Sequence, residues 1–88
     1  LRLAARRERR ASWSASTMQR LECIGKKAGR PRAPAETPTE YAQALADQLH
    51  EPQLVTVGAA LDTDSYSAAG APPEARADAD AVLSSLRP

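Results

Sequence analysis

Eighty-eight residues provide for one small domain and leave no room for a multidomain enzyme. Leu, Ile and Val together number only 13 and Phe is absent, whereas Ala alone contributes 19, so methyl groups must fill much of any interior. The net charge of +1 conceals a division: residues 1–32 hold ten Lys/Arg against two acids, net +8, and residues 33–88 hold two Arg against nine acids, net −7, the layout of a basic arm joined to an acidic body.

Residues 1–28 lack proline, and Trp13, Thr17, Leu21, Ile24 and Ala28 recur at helical spacing within an arc of about 80°. This predicts one long amphipathic helix that stops near Gly29. Its opening residues carry no wide apolar stripe, so the chain divides into a projecting basic arm, 1–12, and a small helical domain, 13–88. Gly29 to Thr37 contains Pro31 and Pro34, which oppose helix and favour extended backbone, and this stretch is expected to be a nine-residue loop.

Thr37-Pro38-Thr39-Glu40 is the sharpest local signal. The threonine hydroxyl can accept from the first helical turn, Pro38 suits the first helical position, and Glu40 can reach back to the cap. A second helix is therefore expected from here, with Tyr41, Leu45 and Leu49 as its stripe and Pro52 at its end or at the start of the next. From Pro52 to about Ala69 two stripes coexist: Leu54, Val57, Gly58, Leu61 and Ser65, and, rotated by about 100°, Val55, Ala59, Asp62 and Tyr66. Two buried faces predict a central helix, with Gly58 either admitting a close neighbour or leaving the helix loose there, and Gly70 forming the C-terminal cap. Pro72-Pro73-Glu74 starts a last helix that turns Ala75, Ala79, Val82, Leu83 and Leu86 inward and Asp78 and Asp80 to solvent. The fold class is all-α, a bundle of three to four helices led by a long basic one.

Catalytic chemistry finds little support. Cys23 and His50 are the only residues of their kinds, which excludes an intramolecular disulfide and leaves a packed thiol and a helix-end histidine as the expectation. Asp62 with Asp64, and Asp78 with Asp80, stand two apart, a spacing that points helical side chains in different directions. No catalytic residue, cofactor or metal ligand is assigned. No run approaches the roughly 20 apolar residues of a membrane span, and no export signal is recognisable.

The succession Trp13, Leu21, Gly25, the Arg/Pro loop, Glu36-Thr37-Pro38-Thr39-Glu40-Tyr41-Ala42, Ala44-Leu45-Ala46, Tyr66-Ser67, Ala71-Pro72 and Ala81-Val82-Leu83-Ser84-Ser85-Leu86 resembles the C-terminal helical domain of bacterial transglutaminase-like membrane proteins, a domain of unknown function. Thr37, Pro38, Glu40 and Tyr41 carry its strongest motif. The resemblance implies a non-catalytic interaction or regulatory tail on the cytoplasmic face of a bacterial membrane, preceded in its parent by a transmembrane helix. A parent of this kind carries its Cys-His-Asp catalytic set elsewhere, and no such role passes to Cys23. The implied partners are that preceding helix, an anionic lipid surface met by Arg2, Arg6, Arg7, Arg9 and Arg10, and an unknown cytoplasmic protein. Abundant Ala and Arg with no Asn accord with a high-GC, actinobacterial source.

A second reading comes from the loop. Lys26, Lys27, Gly29, Arg30, Pro31 and Arg32 resemble an AT-hook, in which a Gly-Arg-Pro core lies extended in the narrow, strongly negative minor groove of A·T-rich DNA. Nucleic acid is the partner in that alternative only.

Overall fold

The computed structural model describes residues 2–86, with side chains from Trp13 onward. Four helices follow one another: α1 (Arg2–Lys27), α2 (Pro38–Leu49), α3 (Leu54–Tyr66) and α4 (Pro73–Ser85). The described residues contain no strand, so the fold is a small all-α bundle as expected.

Helix α1 runs unbroken through residue 12, and its buried residues Thr17, Leu21 and Gly25 are four apart, which places them on one side. It ends in a left-handed glycine: Gly29 has φ +80°, its N–H donates to the Lys26 carbonyl at 3.1 Å, and the Arg30 N–H donates to the Gly25 carbonyl at 2.8 Å. This pair of bonds satisfies carbonyls that the helix end would otherwise leave unpaired.

The expected cap of α2 is formed in full. Thr37 is extended (φ −75°, ψ 161°), the Glu40 N–H donates to its hydroxyl at 3.1 Å, and the Thr37 N–H donates to the Glu40 carboxylate at 2.9 Å. At the other end His50 takes the left-handed conformation (φ 57°), and Glu51 N–H closes on the Ala46 carbonyl at 3.0 Å, so the helix stops at Leu49, three residues before Pro52. Pro52 instead opens a tight turn in which the N–H groups of Leu54, Val55 and Thr56 each bond three residues back, and regular α3 begins at Leu54.

Helix α3 touches all three other helices. Its buried residues, Leu54, Val57, Gly58, Ala60 and Leu61, fill one arc of about 160°, which is wide enough to serve every neighbour. The second expected stripe is corrected: Val55, Ala59 and Tyr66 are exposed, Tyr66 at 83%, because they lie on the opposite side of this arc. Gly58 does admit a close neighbour. A Cβ there would stand 2.6 Å from Ala42 Cβ and 2.9 Å from the Pro38 carbonyl oxygen, so α2 and α3 meet almost backbone to backbone.

Gly70 is a second correction. The chain leaves α3 through extended Ser67, and Gly70 (φ +77°) sits beyond it in a turn closed by its N–H on the Ser67 carbonyl at 3.0 Å. Asp64 holds this connection, accepting from the Ala71 N–H at 2.9 Å and from the Ser14 hydroxyl of α1. In α4, Ala79 and Leu83 are buried with Ala75, Val82 and Leu86 packed beside them, and Asp78 is exposed. Asp80 is half-exposed and also paired: Arg20 of α1 donates to its carboxylate at 3.2 Å and to the Ser84 hydroxyl at 3.2 Å. Ala42, Ala46, Ala60 and Ala79 sit in the core beside Tyr41, the largest fully buried side chain, in keeping with the composition.

Candidate functional site

The loop between α1 and α2 is built around a single carboxylate. Its two prolines keep it from continuing α1, and its backbone polar groups must find partners outside a helix. Glu36 draws three of the loop's residues, Arg30, Arg32 and Ala33, onto one point. The Arg30 guanidinium forks onto both carboxylate oxygens at 2.9 and 2.5 Å, the Ala33 N–H donates to the same carboxylate at 2.8 Å, and the Arg32 guanidinium donates twice to the Glu36 carbonyl at 3.1 and 2.8 Å. Glu36 returns its own N–H to the Ala33 carbonyl at 3.1 Å. The Arg30 fork and then the Ala33 N–H hold the Glu36 carboxyl at about 2, far below the ordinary carboxylate range, and the same fork raises Arg30.

Tyr41 joins the loop to the core. Its hydroxyl donates to the Arg30 carbonyl at 2.8 Å, and the Arg30 guanidinium carbon lies 5.6 Å from its ring centroid, within reach of a cation–π contact. Burial raises the Tyr41 hydroxyl above its ordinary value. The loop is thus closed on α1, on α2 and on itself.

Of the sequence-predicted loop residues, the structure therefore brings Arg30 and Arg32 together on Glu36, while Lys26 and Lys27 stay exposed at the end of α1. Pro31 is exposed and its carbonyl accepts from Arg30 at 2.8 Å. The arginines that an extended minor-groove contact would use are engaged inside the chain. Sequence reasoning gave Glu36 no part in this loop. Its signal was present as an acid six residues after Arg30, but loop spacing, unlike helix spacing, does not say which side chains meet. Arg2, Arg6, Arg7, Arg9 and Arg10 belong to the first half of α1, and their side chains lie outside the described set.

Between α1 and α4 runs a shallow groove of about 290 Å³, lined by Ser16, Gln19, Arg20, Cys23, Ile24, Lys27 and Leu83. Cys23 opens into it and is exposed, which corrects the expected packed thiol: one position from Ile24 is about 100° around the helix, enough to turn it off the buried side. His50 is outside this lining and occupied as the left-handed residue after α2, so no thiol–imidazole pair forms. The indole N–H of Trp13 is enclosed without a partner, while the Arg76 guanidinium sits 5.8 Å from its ring. Among the described residues no group of His, Cys, Asp or Glu is arranged to hold a metal ion, and no helix is long and apolar enough to cross a membrane. Comparison with protein-family models, with curated proteins and with solved structures finds no match.

Proposed function

We propose that this chain is a non-catalytic interaction domain that engages an anionic lipid surface through its basic arm, as the cytoplasmic C-terminal tail of a membrane-anchored, transglutaminase-like bacterial protein. The observation that carries the reading is how the cationic charge is divided. In the body, Arg20 serves Asp80, Arg30 and Arg32 serve Glu36, and Arg76 bonds the Ala71 carbonyl and covers Trp13. Five further arginines cluster within residues 2–10 at the start of a 26-residue helix that meets the body through Thr17, Leu21 and Gly25. Five cations at an anionic leaflet are worth about 5 kcal/mol together, enough for salt-sensitive binding but short of a permanent anchor. Cytoplasmic flanks of membrane spans are enriched in such residues.

Co-sedimentation with phosphatidylserine-containing vesicles tests the reading. Binding that falls with salt is expected, with loss when Arg2, Arg6, Arg7, Arg9 and Arg10 are all changed to Gln and retention in Arg30→Ala. Equal binding by the fivefold variant and the unaltered chain overturns it. The setting has its own test in the residues encoded before Leu1, where a run of about 20 apolar residues is expected.

A further inference from the structure

The groove between α1 and α4 sets positive charge beside an apolar floor. On α1, Arg20 stands one turn before Cys23 and Ile24, and Lys27 one turn after them, so helical spacing brings all four to one side, where Leu83 of α4 closes the floor. Two cations line the groove and no acid does. Arg20 is held against α4 by the Asp80 carboxylate and the Ser84 hydroxyl, whereas Lys27 is exposed and forms no ion pair with a described residue. We infer that this groove binds a free alkyl carboxylate of medium chain length, its tail along Ile24 and Leu83 and its head group on Lys27.

Size, charge and tail capacity each narrow the choice of ligand. A volume of about 290 Å³ stands at the foot of the range for small-molecule sites, about 300–1,000 Å³, whereas a protein partner needs about 800 Å² on each side. The groove suits one small ligand, and one chain better than the two of a phospholipid. Its charge then selects among amphiphiles, because a cationic head would meet Arg20 and Lys27 with no acid in the lining to receive it. A carboxylate completes the one cation that lacks a partner, by a charge-assisted bond to the Lys27 ammonium. The tail adds affinity in steps of about fourfold for each methylene taken from water, until the floor is covered.

Cys23 takes no part in this binding, but its thiol opens into the groove and is the only one in the chain, so it reports when the groove is filled. The groove residues named here stand outside the arm, so this site and the arm's contact with lipid can fail separately.

The test is the rate at which neutral iodoacetamide alkylates Cys23 in the full chain, each rate being divided by that of the same protein without ligand. Decanoate below its micelle concentration should protect the thiol, octanoate should need more, and acetate and decyltrimethylammonium should give no protection. In Lys27→Glu the decanoate concentration for half-protection should rise about tenfold, and the variant with Arg2, Arg6, Arg7, Arg9 and Arg10 changed to Gln should match the unaltered chain. Absence of protection, equal protection by the cationic amphiphile, an unchanged half-point in Lys27→Glu, or protection by phosphatidylglycerol vesicles in place of decanoate each overturns the proposal. Because Lys27→Glu alters the last turn of α1, the unaltered chain supplies a second measurement: decanoate should shift the NMR methyl resonances of Ile24 and Leu83 and leave those of Leu45, in the core, where they are. Movement of Leu45 together with Ile24, or of neither, also overturns it.

Discussion

The hydroxyl of Tyr41 occupies the place where a Cβ on Gly25 would stand. The Arg30 carbonyl that this hydroxyl bonds is 2.7 Å from the same point. The end of α1, the loop after it and α2 therefore meet at one absent side chain. Gly25→Ala should destabilise the domain by about 1–3 kcal/mol, because the added methyl must push on a fully buried ring and on backbone. Tyr41→Phe alone should cost about 0.5–1.5 kcal/mol for the lost hydrogen bond. With the hydroxyl gone the methyl gains room, so the double variant should be less damaged than the two single losses added together. Urea denaturation of the four proteins checks this, and strict additivity would count against the contact.

The Thr37 cap makes a simpler prediction. Thr37→Ala removes the acceptor for the Glu40 N–H and should lower stability by about 0.5–2 kcal/mol, with the denaturant slope unchanged. An unaltered urea midpoint would show that the cap contributes nothing.

Acid should loosen the connection between α1 and α2. The Glu36 carboxyl falls to about 2 in the folded chain from an ordinary value of 4.5, so its contribution is complete above about pH 4.5 and is lost as pH falls through the folded value. Thermal unfolding followed from pH 6 to pH 2.5 should show a falling midpoint for the unaltered chain and a shallower fall for Glu36→Gln. Parallel curves would mean that the fork does not hold in solution.

His50 has a side chain where the backbone favours none. Its φ of 57° is the left-handed region in which a Cβ crowds the following carbonyl, and removing that Cβ relieves a cost of about 1 kcal/mol. His50→Gly should therefore leave stability unchanged or raise it by up to about 1 kcal/mol, and His50→Val should lower it. Differential scanning calorimetry of both variants would rank them, and a destabilised His50→Gly contradicts the argument.

These outcomes separate what was legible in the sequence from what was not. The α2 cap was readable because Thr37, Pro38 and Glu40 act within one turn, where sequence distance fixes spatial distance. Gly58 was half readable: a glycine inside a helical pattern signals either a close neighbour or a loose helix, and the structure supplies the neighbour, Ala42. The outward face of α3 misled because Val55, Ala59 and Tyr66 keep the period of a buried stripe, and periodicity does not tell which of two stripes the fold covers. The loop was the least legible part. Arg30 was visible as a cation, but its engagement by Glu36 depends on how an irregular backbone folds back, and no periodic rule reports that.

The near contact of α2 with α3 at Ala42 and Gly58 also bears on how the chain reaches its native state. These helices are joined by only four residues, and docking them closes a short loop at little entropic cost. The α2–α3 hairpin can form before the rest, whereas α1 must be recruited across its ten-residue connection and α4 across six. Amide exchange should then rank the elements in time as well as in strength. The slowest hydrogens should belong to Leu45, Ala46, Val57 and Leu61, at the centre of the α2–α3 hairpin, and those of α1 around Thr17 and Leu21 should exchange sooner.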